Sequence, residues 1–411
     1  MKKLLMMTAL LLTLPAMADE WEEEAPTSPW KISGFTDAGV GGFLQDNPVE
    51  QQTSLLELRT QLSANRYFGS TFFSSKTELV ADRVDERELH IELRELFIDQ
   101  PLGESINLRI GQQVLTWGTG DFLFLNDFFP KNWNSMFSGR DDDYLKAPSA
   151  SIKATLYSGF LNTDLVITPD FTADDYITGE RFSYFSPLTG EIVSAPPKLE
   201  ADKPENQPGN AQYFLRFFQT SGSVEYAAYL YRGFYTRPMG FSPVTGRNLF
   251  PRLNSYGASL RTPLAGGIAS TEFAYWDSTD DEEGSDPFIP NSQMQWLAGF
   301  EREAITNFTV GAQLLVRRNV HTPQYLPQEQ EELLTLRLTW QALQQKLTTS
   351  LFAFYSPDDD DYFIKPRVSY RMDDHWLYVV GANLFGGPDE FTQWGQFERN
   401  SNIYARVKYT Y

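Results

Sequence analysis

The feature that most constrains this chain is a rhythm of short alternating segments, with no long apolar run anywhere after its first residues. In residues 333–341, Leu334, Leu336, Leu338 and Trp340 fall on one side of an extended chain, and Thr335, Arg337 and Thr339 on the other. A period of two marks a strand with one apolar and one polar face. Such segments recur as nine pairs: 30–44 with 54–67, 70–81 with 88–99, 106–114 with 150–157, 161–171 with 211–220, and 223–236 with 255–262. The series continues with 268–277 and 292–302, 308–318 and 333–341, 347–356 and 362–371, and 376–385 and 403–411. About ten residues is the length of a tilted membrane strand. Tight turns such as Phe68-Gly69 and Ser221-Gly222 alternate with long loops rich in Asp, Pro and Gly, the longest spanning 172–210. Short turns on one side and long loops on the other are the asymmetry of an outer-membrane barrel. An apolar face in lipid tolerates no open sheet edge, so the sheet must close. The expectation is all-β: a transmembrane antiparallel up-and-down β-barrel of about 18 strands over residues 30–411, both termini on one side. Alternation fails near Arg94-Glu95, which predicts a β-bulge.

The start of the chain reads as an export signal. Lys2 and Lys3 precede an apolar core, and Ala16-Met17-Ala18 forms an A-x-A cleavage site, so residues 1–18 are expected to be removed. Acidic residues 19–29 then form a short periplasmic lead. The charge is -20 for the whole chain, and more negative once Lys2 and Lys3 are lost, so nucleic acid is not an expected partner. There are no cysteines, which excludes disulfides and thiol chemistry. Aromatic content is 15%, which fits interfacial aromatic girdles. The expected location is the outer membrane of a Gram-negative bacterium, with outer-membrane lipid and lipopolysaccharide as surroundings. The terminal strand 403–411 ends on Tyr411 with apolar residues alternating before it, as a signal for the barrel-assembly machinery would.

One stretch breaks the rhythm. After strand 106–114 the chain reads Trp117-Gly118-Thr119-Gly120-Asp121-Phe122-Leu123-Phe124-Leu125-Asn126-Asp127-Phe128-Phe129-Pro130, followed by Trp133 and Phe137. It is too aromatic for an exposed loop and too interrupted by Gly and Pro for a regular element. Residues 115–137 are therefore expected to fold into the lumen as a constriction, with Trp117, Asp121, Asn126, Asp127 and Trp133 along the narrowest path. The competing expectation is an outer loop that packs its own rings as a lid.

The polar strand faces supply the lumen wall. The substrate path is expected to include Arg59, Lys76, Arg94, Arg109, Gln113, Lys153, Arg216, Arg261, Arg317, Arg337 and Arg367, with Lys365, Arg371, Arg406 and Lys408 as further wall bases. The wall acids are Asp37, Glu57, Glu78, Glu92, Asp164, Glu225, Glu272 and Glu301, while acidic runs such as Asp141-Asp142-Asp143 belong to loops. A surplus of bases inside a pore suggests anion selectivity, although Arg–carboxylate pairs that only brace the wall are the simpler role for any one of them. His90, His321 and His375 are the only histidines, and no nucleophile–base–acid spacing stands out, so neither an enzyme, a metal site nor a cofactor is expected.

Arg109-Ile110-Gly111-Gln112-Gln113, Trp117-Gly118, Asp121, Asp127 and Pro130, following the strand Arg94-Glu95-Leu96-Phe97-Ile98-Asp99, resemble a family of alginate-porin-like Gram-negative outer-membrane barrels. The shared pattern is Arg-Ile/Leu-Gly-x-Gln-x-x-x-Trp-Gly-x-x-Asp; it covers about a tenth of the chain. The resemblance implies a monomeric eighteen-stranded barrel that passes a substrate across the outer membrane, in a family whose substrates are mostly unassigned. The arginine density of the alginate-specific members is matched only in part. The expected function is a porin-like channel for small anionic or amphipathic solutes. The alternative is a non-conducting binding or scaffold barrel that serves a transenvelope export or lipid-transfer complex with a periplasmic or inner-membrane export partner.

Overall fold

A computed structural model describes residues 29–49, 52–321 and 329–411. The signal segment and the lead up to residue 28 lie outside these residues. Eighteen antiparallel strands form one sheet: β1 Lys31–Phe43, β2 Leu55–Phe68, β3 Thr71–Asp82, β4 Leu89–Leu102, β5 Ile106–Val114, β6 Pro148–Leu156, β7 Asn162–Thr168, β8 Gln212–Ser221 and β9 Val224–Phe234. The second half comprises β10 Arg252–Leu264, β11 Gly267–Ser278, β12 Gln293–Ile305, β13 Phe308–Asn319, β14 Gln330–Ala342, β15 Leu347–Ser356, β16 Asp361–Arg371, β17 Trp376–Gly386 and β18 Asn402–Thr410. Each strand pairs with its sequence neighbours, and β1 pairs with β18 from Phe35↔Thr410 to Phe43↔Asn402, so the sheet closes on itself. No helix among the described residues is long and apolar enough to cross a membrane, a statement that does not concern strands.

The exterior explains why the sheet closes. Leu62, Ile91, Ile98, Ile110, Phe273, Leu336, Val380 and Ile403 are exposed on the outside, where water would make so much apolar surface unfavourable. Aromatics ring both rims: Tyr67, Phe68, Trp340, Trp376 and Tyr409 at one, and Tyr213, Tyr256, Tyr355 and Tyr362 at the other. These are the positions of interfacial girdles. Tyr411 sits among the turn-side rings and seals the closure through backbone bonds with Gly34 of 3.0 and 3.1 Å. The bulge lies where alternation failed: Lys76 pairs with Glu95 and Thr77 with Leu93, which leaves Arg94 as the extra residue. Strand ends differ from expectation at β7, which stops at Thr168 rather than 171, because Pro169 has no N–H to continue the ladder.

The loop of residues 115–147 between β5 and β6 enters the lumen. It carries a short α-helix, α1 Trp133–Ser138, capped by Asn132, whose side chain accepts from Ser135 N, and closed by Gly139 at φ 77°, followed by a 3-10 turn at Asp142–Leu145. The loop between β7 and β8 is not wholly external. Phe182 is fully buried against Phe137, and Arg181 reaches down to Asp82. Further out, Ala201–Asp202 and Gly240–Ser242 join Arg247–Leu249 in a small sheet that ties this loop to the one after β9.

Candidate functional site: a lumen divided by one loop

The residues of the sequence motif each perform an identifiable job in fastening the inner loop. Trp117 is buried against Phe129, Phe214 and Tyr229 at ring separations of 5.2, 6.2 and 6.0 Å. Gly118 has φ +84°, and a Cβ there would stand 2.9 Å from Glu272 Oε1, so both the turn and the close approach require glycine. Glu272, on β11, accepts four bonds from the loop: Thr119 N at 2.6 Å, Thr119 Oγ1 at 3.0 Å, Asn126 N at 3.1 Å and Asn126 Nδ2 at 2.9 Å. Asp121 receives Arg337 Nη2 at 2.7 Å, and its N–H donates to Gln313 Oε1 at 3.0 Å.

Further along, the loop packs again on the wall that Trp117 meets and then crosses to the other side. Phe128 stacks on Tyr231 and Phe129 on Phe214, with centroids 4.4 and 4.5 Å apart. The Phe137 ring packs against Phe385 and Phe397 at 4.8 and 4.9 Å, and its carbonyl accepts from Asn383 and Asn402. Arg140 binds Glu57 at 2.5 Å and Asp82 at 3.0 Å. Tyr144 donates to Glu78 at 2.8 Å, while Asp141 and Asp142 take Arg367 and Lys365, each at 3.1 Å. The loop thus spans the barrel.

This placement changes the roles expected of several residues. Asn126 is a buried anchor rather than a lining group, and Asp127, which borders the outer cavity, is buried and held by Thr116 Oγ1 at 2.7 Å and Lys131 at 3.0 Å. Trp133 donates its indole N–H to Asp174 at 2.8 Å and lines the cavity on the outer side of the loop. Asp121 lines the inner cavity.

The wall bases are mostly paired. Arg59 is enclosed by Glu57, Glu78 and Glu92, with the last at 2.6 Å. Lys76 meets Glu95 at 2.8 Å, Arg109 meets Asp99 at 2.5 Å, and Arg216 and Lys153 share Asp164 at 2.5 and 3.5 Å. Arg406 binds Asp37 at 2.9 Å, and Arg317 has only a 3.6 Å contact to Glu331. Arg94 donates to the carbonyls of Asp143 and Lys146, and buried Gln113 donates to Ser151 O. Lys408 rests over Phe35 at 3.9 Å, and Arg371 is exposed at the turn-side rim. Arg261 lines the inner cavity beside its cross-strand neighbour Glu225, with no ion pair among the described residues.

The basic surplus read from the strand faces is therefore smaller in the folded lumen. Asp82, Glu95 and Asp99 face inward in addition to the expected acids, and the loop brings in Asp121, Asp141 and Asp142. Sequence reasoning missed Arg140, Arg181 and Arg237 because they belong to loops, where no periodicity assigns a face. Gly139, a helix-ending glycine just before Arg140, was the available signal.

Two cavities flank the loop. The inner one, about 610 Å³, is lined by Asp121, Glu225, Arg261, Glu301, Gln313 and Arg337 among others; the outer one, about 510 Å³, is lined by aromatic and aliphatic side chains together with charged groups. Phe122 and Phe124 line both. Phe122 holds φ +60°, a backbone conformation that costs a bulky residue about 1–3 kcal/mol. Among the described residues, no group of His, Asp and Glu is arranged to hold a metal ion.

A closed sheet with an apolar exterior, two aromatic girdles and a polar, loop-crossed lumen defines a transmembrane β-barrel of the outer-membrane type. The chain belongs to the family described as protein of unknown function DUF1302, whose profile matches residues 31–361. No curated protein sequence matches it. Among solved structures it is similar to OccAB3 of Acinetobacter baumannii, with 9% identity, a TM-score of 0.55, and coverage of 93% of this chain and 99% of that one. OccAB4 of the same organism gives 9% identity, a TM-score of 0.56, and coverage of 93% and 98%. OccD3 (OpdP) of Pseudomonas aeruginosa gives 9%, 0.54, and coverage of 93% and 91%. At such identities the likeness is one of fold. The family assignment is DUF1302; the alginate-porin-like grouping rests on the motif resemblance alone.

Proposed function

We propose that this barrel carries small anionic or amphipathic solutes across the outer membrane, along a path that the inner loop divides into an outer and an inner chamber. The observation that carries the reading is the pair of cavities on opposite sides of Phe122 and Phe124. A scaffold barrel has no need of two solvent-sized chambers meeting at one thin partition. The wall residues would set selectivity through their few uncompensated charges, since a constriction focuses the field of nearby groups. In the inner chamber those groups are Arg261, Glu225 and Glu301, beside the paired Arg337 and Asp121.

Conductance of the purified protein in planar bilayers tests this. The intact barrel should pass current in small steps, and deletion of residues 120–132 should enlarge them, because the ladder hydrogen bonds lie elsewhere. Asp121→Asn should shift the reversal potential in a salt gradient toward anions, and Arg261→Ala away from them. A barrel that stays silent both intact and after the deletion would defeat the transport reading and leave the binding or scaffold role.

A further inference from the structure

The outer cavity has a chemistry of its own. Its floor is the loop side of Phe124 and Phe128, and its walls include Trp133, Trp276, Leu333 and Phe354. Its volume of about 510 Å³ falls within the range of pockets that enclose small organic ligands. Phe124, Trp133 and Trp276 are only partly buried there, and apolar surface is costly to leave wet, so the cavity favours an occupant with an apolar body.

The charged groups at this cavity are not equivalent. Asp127 is satisfied by Lys131 and Thr116, and Asp174 accepts from Lys131 N at 3.0 Å and from the Trp133 indole at 2.8 Å. Glu331 has the 3.6 Å contact to Arg317. Arg237, in the loop after β9, is the exception. It lines the cavity and is exposed to it, its guanidinium lies 5.4 Å over the Trp133 ring, and among the described residues it forms no ion pair. A guanidinium over an indole ring and without an ion-pair partner keeps its N–H donors for a bidentate bond to a carboxylate.

We propose that the outer cavity is a binding site for an amphipathic monocarboxylate, whose apolar body lies against Phe124, Trp133 and Trp276 and whose carboxylate pairs with Arg237. This names the solute class for the transport path proposed above and rests on that reading for its purpose, but the site itself requires no open pore. The ligand enters from the long-loop side, since the cavity lies beyond the inner loop from the short turns. The Trp133 ring then has two tasks: it orients Arg237 and forms part of the apolar wall.

The test uses the full barrel in lipid nanodiscs, titrated calorimetrically with 4-phenylbutyrate and with its neutral amide, with empty nanodiscs subtracted. The carboxylate should bind at least about tenfold more tightly than the amide, as expected for one charge-assisted bidentate contact. Arg237→Gln should abolish that preference while amide binding is retained, and Arg237→Lys should restore part of it. Heat-modifiable mobility verifies that each variant remains a folded barrel. Equal affinity for acid and amide, the absence of binding by either, or an unchanged preference in Arg237→Gln would overturn the proposal. Failure of conductance with this preference intact would overturn the transport reading alone.

Discussion

Two of the wall regions that fasten the inner loop are dissimilar. On the β2, β3 and β18 side it meets charge: Arg140 enters a buried cluster in which Glu57, Glu78, Asp82 and Asp37 face Arg59, Arg181 and Arg406. On the β15, β16 and β17 side it meets rings: Phe122 packs on Phe352 at 4.8 Å, and Phe137 on Phe363 and Phe385 at 5.5 and 4.8 Å. Buried charges recover their desolvation cost only in one geometry, so the ionic side fixes where the loop sits. Aromatic contacts add roughly 0.5–1.5 kcal/mol each beyond area burial and tolerate sliding, so the ring side can yield without being lost. The partition at Phe122 and Phe124 lies toward the side that can yield.

The strongest test of this contrast is Arg140→Ala. It leaves Glu57 and Asp82 with fewer partners in a buried site and should cost about 3–5 kcal/mol of barrel stability, read by urea titration of heat-modifiable protein in lipid vesicles. Arg140→Met keeps the bulk and should recover little of it; a methionine variant as stable as the parent would show that the ionic side confers no positional demand. Phe137→Ala should cost about 3 kcal/mol, the low end for such truncations because neighbouring rings can close in. Here Phe137→Leu should recover most of the loss, the opposite outcome to the arginine pair.

Gly118→Ala should follow at about 1–3 kcal/mol, since the added methyl meets both a positive φ and the Glu272 carboxylate, with increased protease cleavage within residues 115–147 as its signature. The smallest effect concerns pH. Burial lifts the Asp121 carboxyl above the ordinary range, outweighing Arg337. For Asp141 burial again pushes upward, but the charge and hydrogen bond of Arg367, with the N–H of Asp143, hold it below that range. As pH falls, the Asp121–Arg337 pair should release first, seen as a change in channel noise that Asp121→Asn abolishes. No stability is lost at that step, because protonation relieves a burial cost. The Asp141–Arg367 pair contributes fully above the ordinary aspartate range and is lost only as pH falls through the lowered value. Because both partners are partly exposed, its loss should amount to less than about 1 kcal/mol, and Asp141→Asn should remove it.

Much of this architecture was legible from the strands. The even strand number, the lipid-facing set containing Leu334, Leu336 and Trp340, and the bulge at Arg94 all follow from a period of two and its single interruption. The inward course of the loop was legible as well, because Phe122, Phe124, Phe128 and Phe129 had to be sheltered. The alternation states which face a residue occupies, and nothing about what stands opposite it across the lumen.

That second question was settled only by tertiary structure. Asp141 and Asp142 read as solvated loop acids until the loop carried them to Arg367 and Lys365, more than two hundred residues away in sequence. Asn126 read as a path-lining group until Glu272 took it out of the path. Arg237 had no readable role until the chain folded it over Trp133. Local sequence determines backbone period and polarity through short-range sterics and solvation. The net charge of an enclosed lumen is a sum over residues brought together by closure and by loop anchoring, and no local pattern encodes that sum.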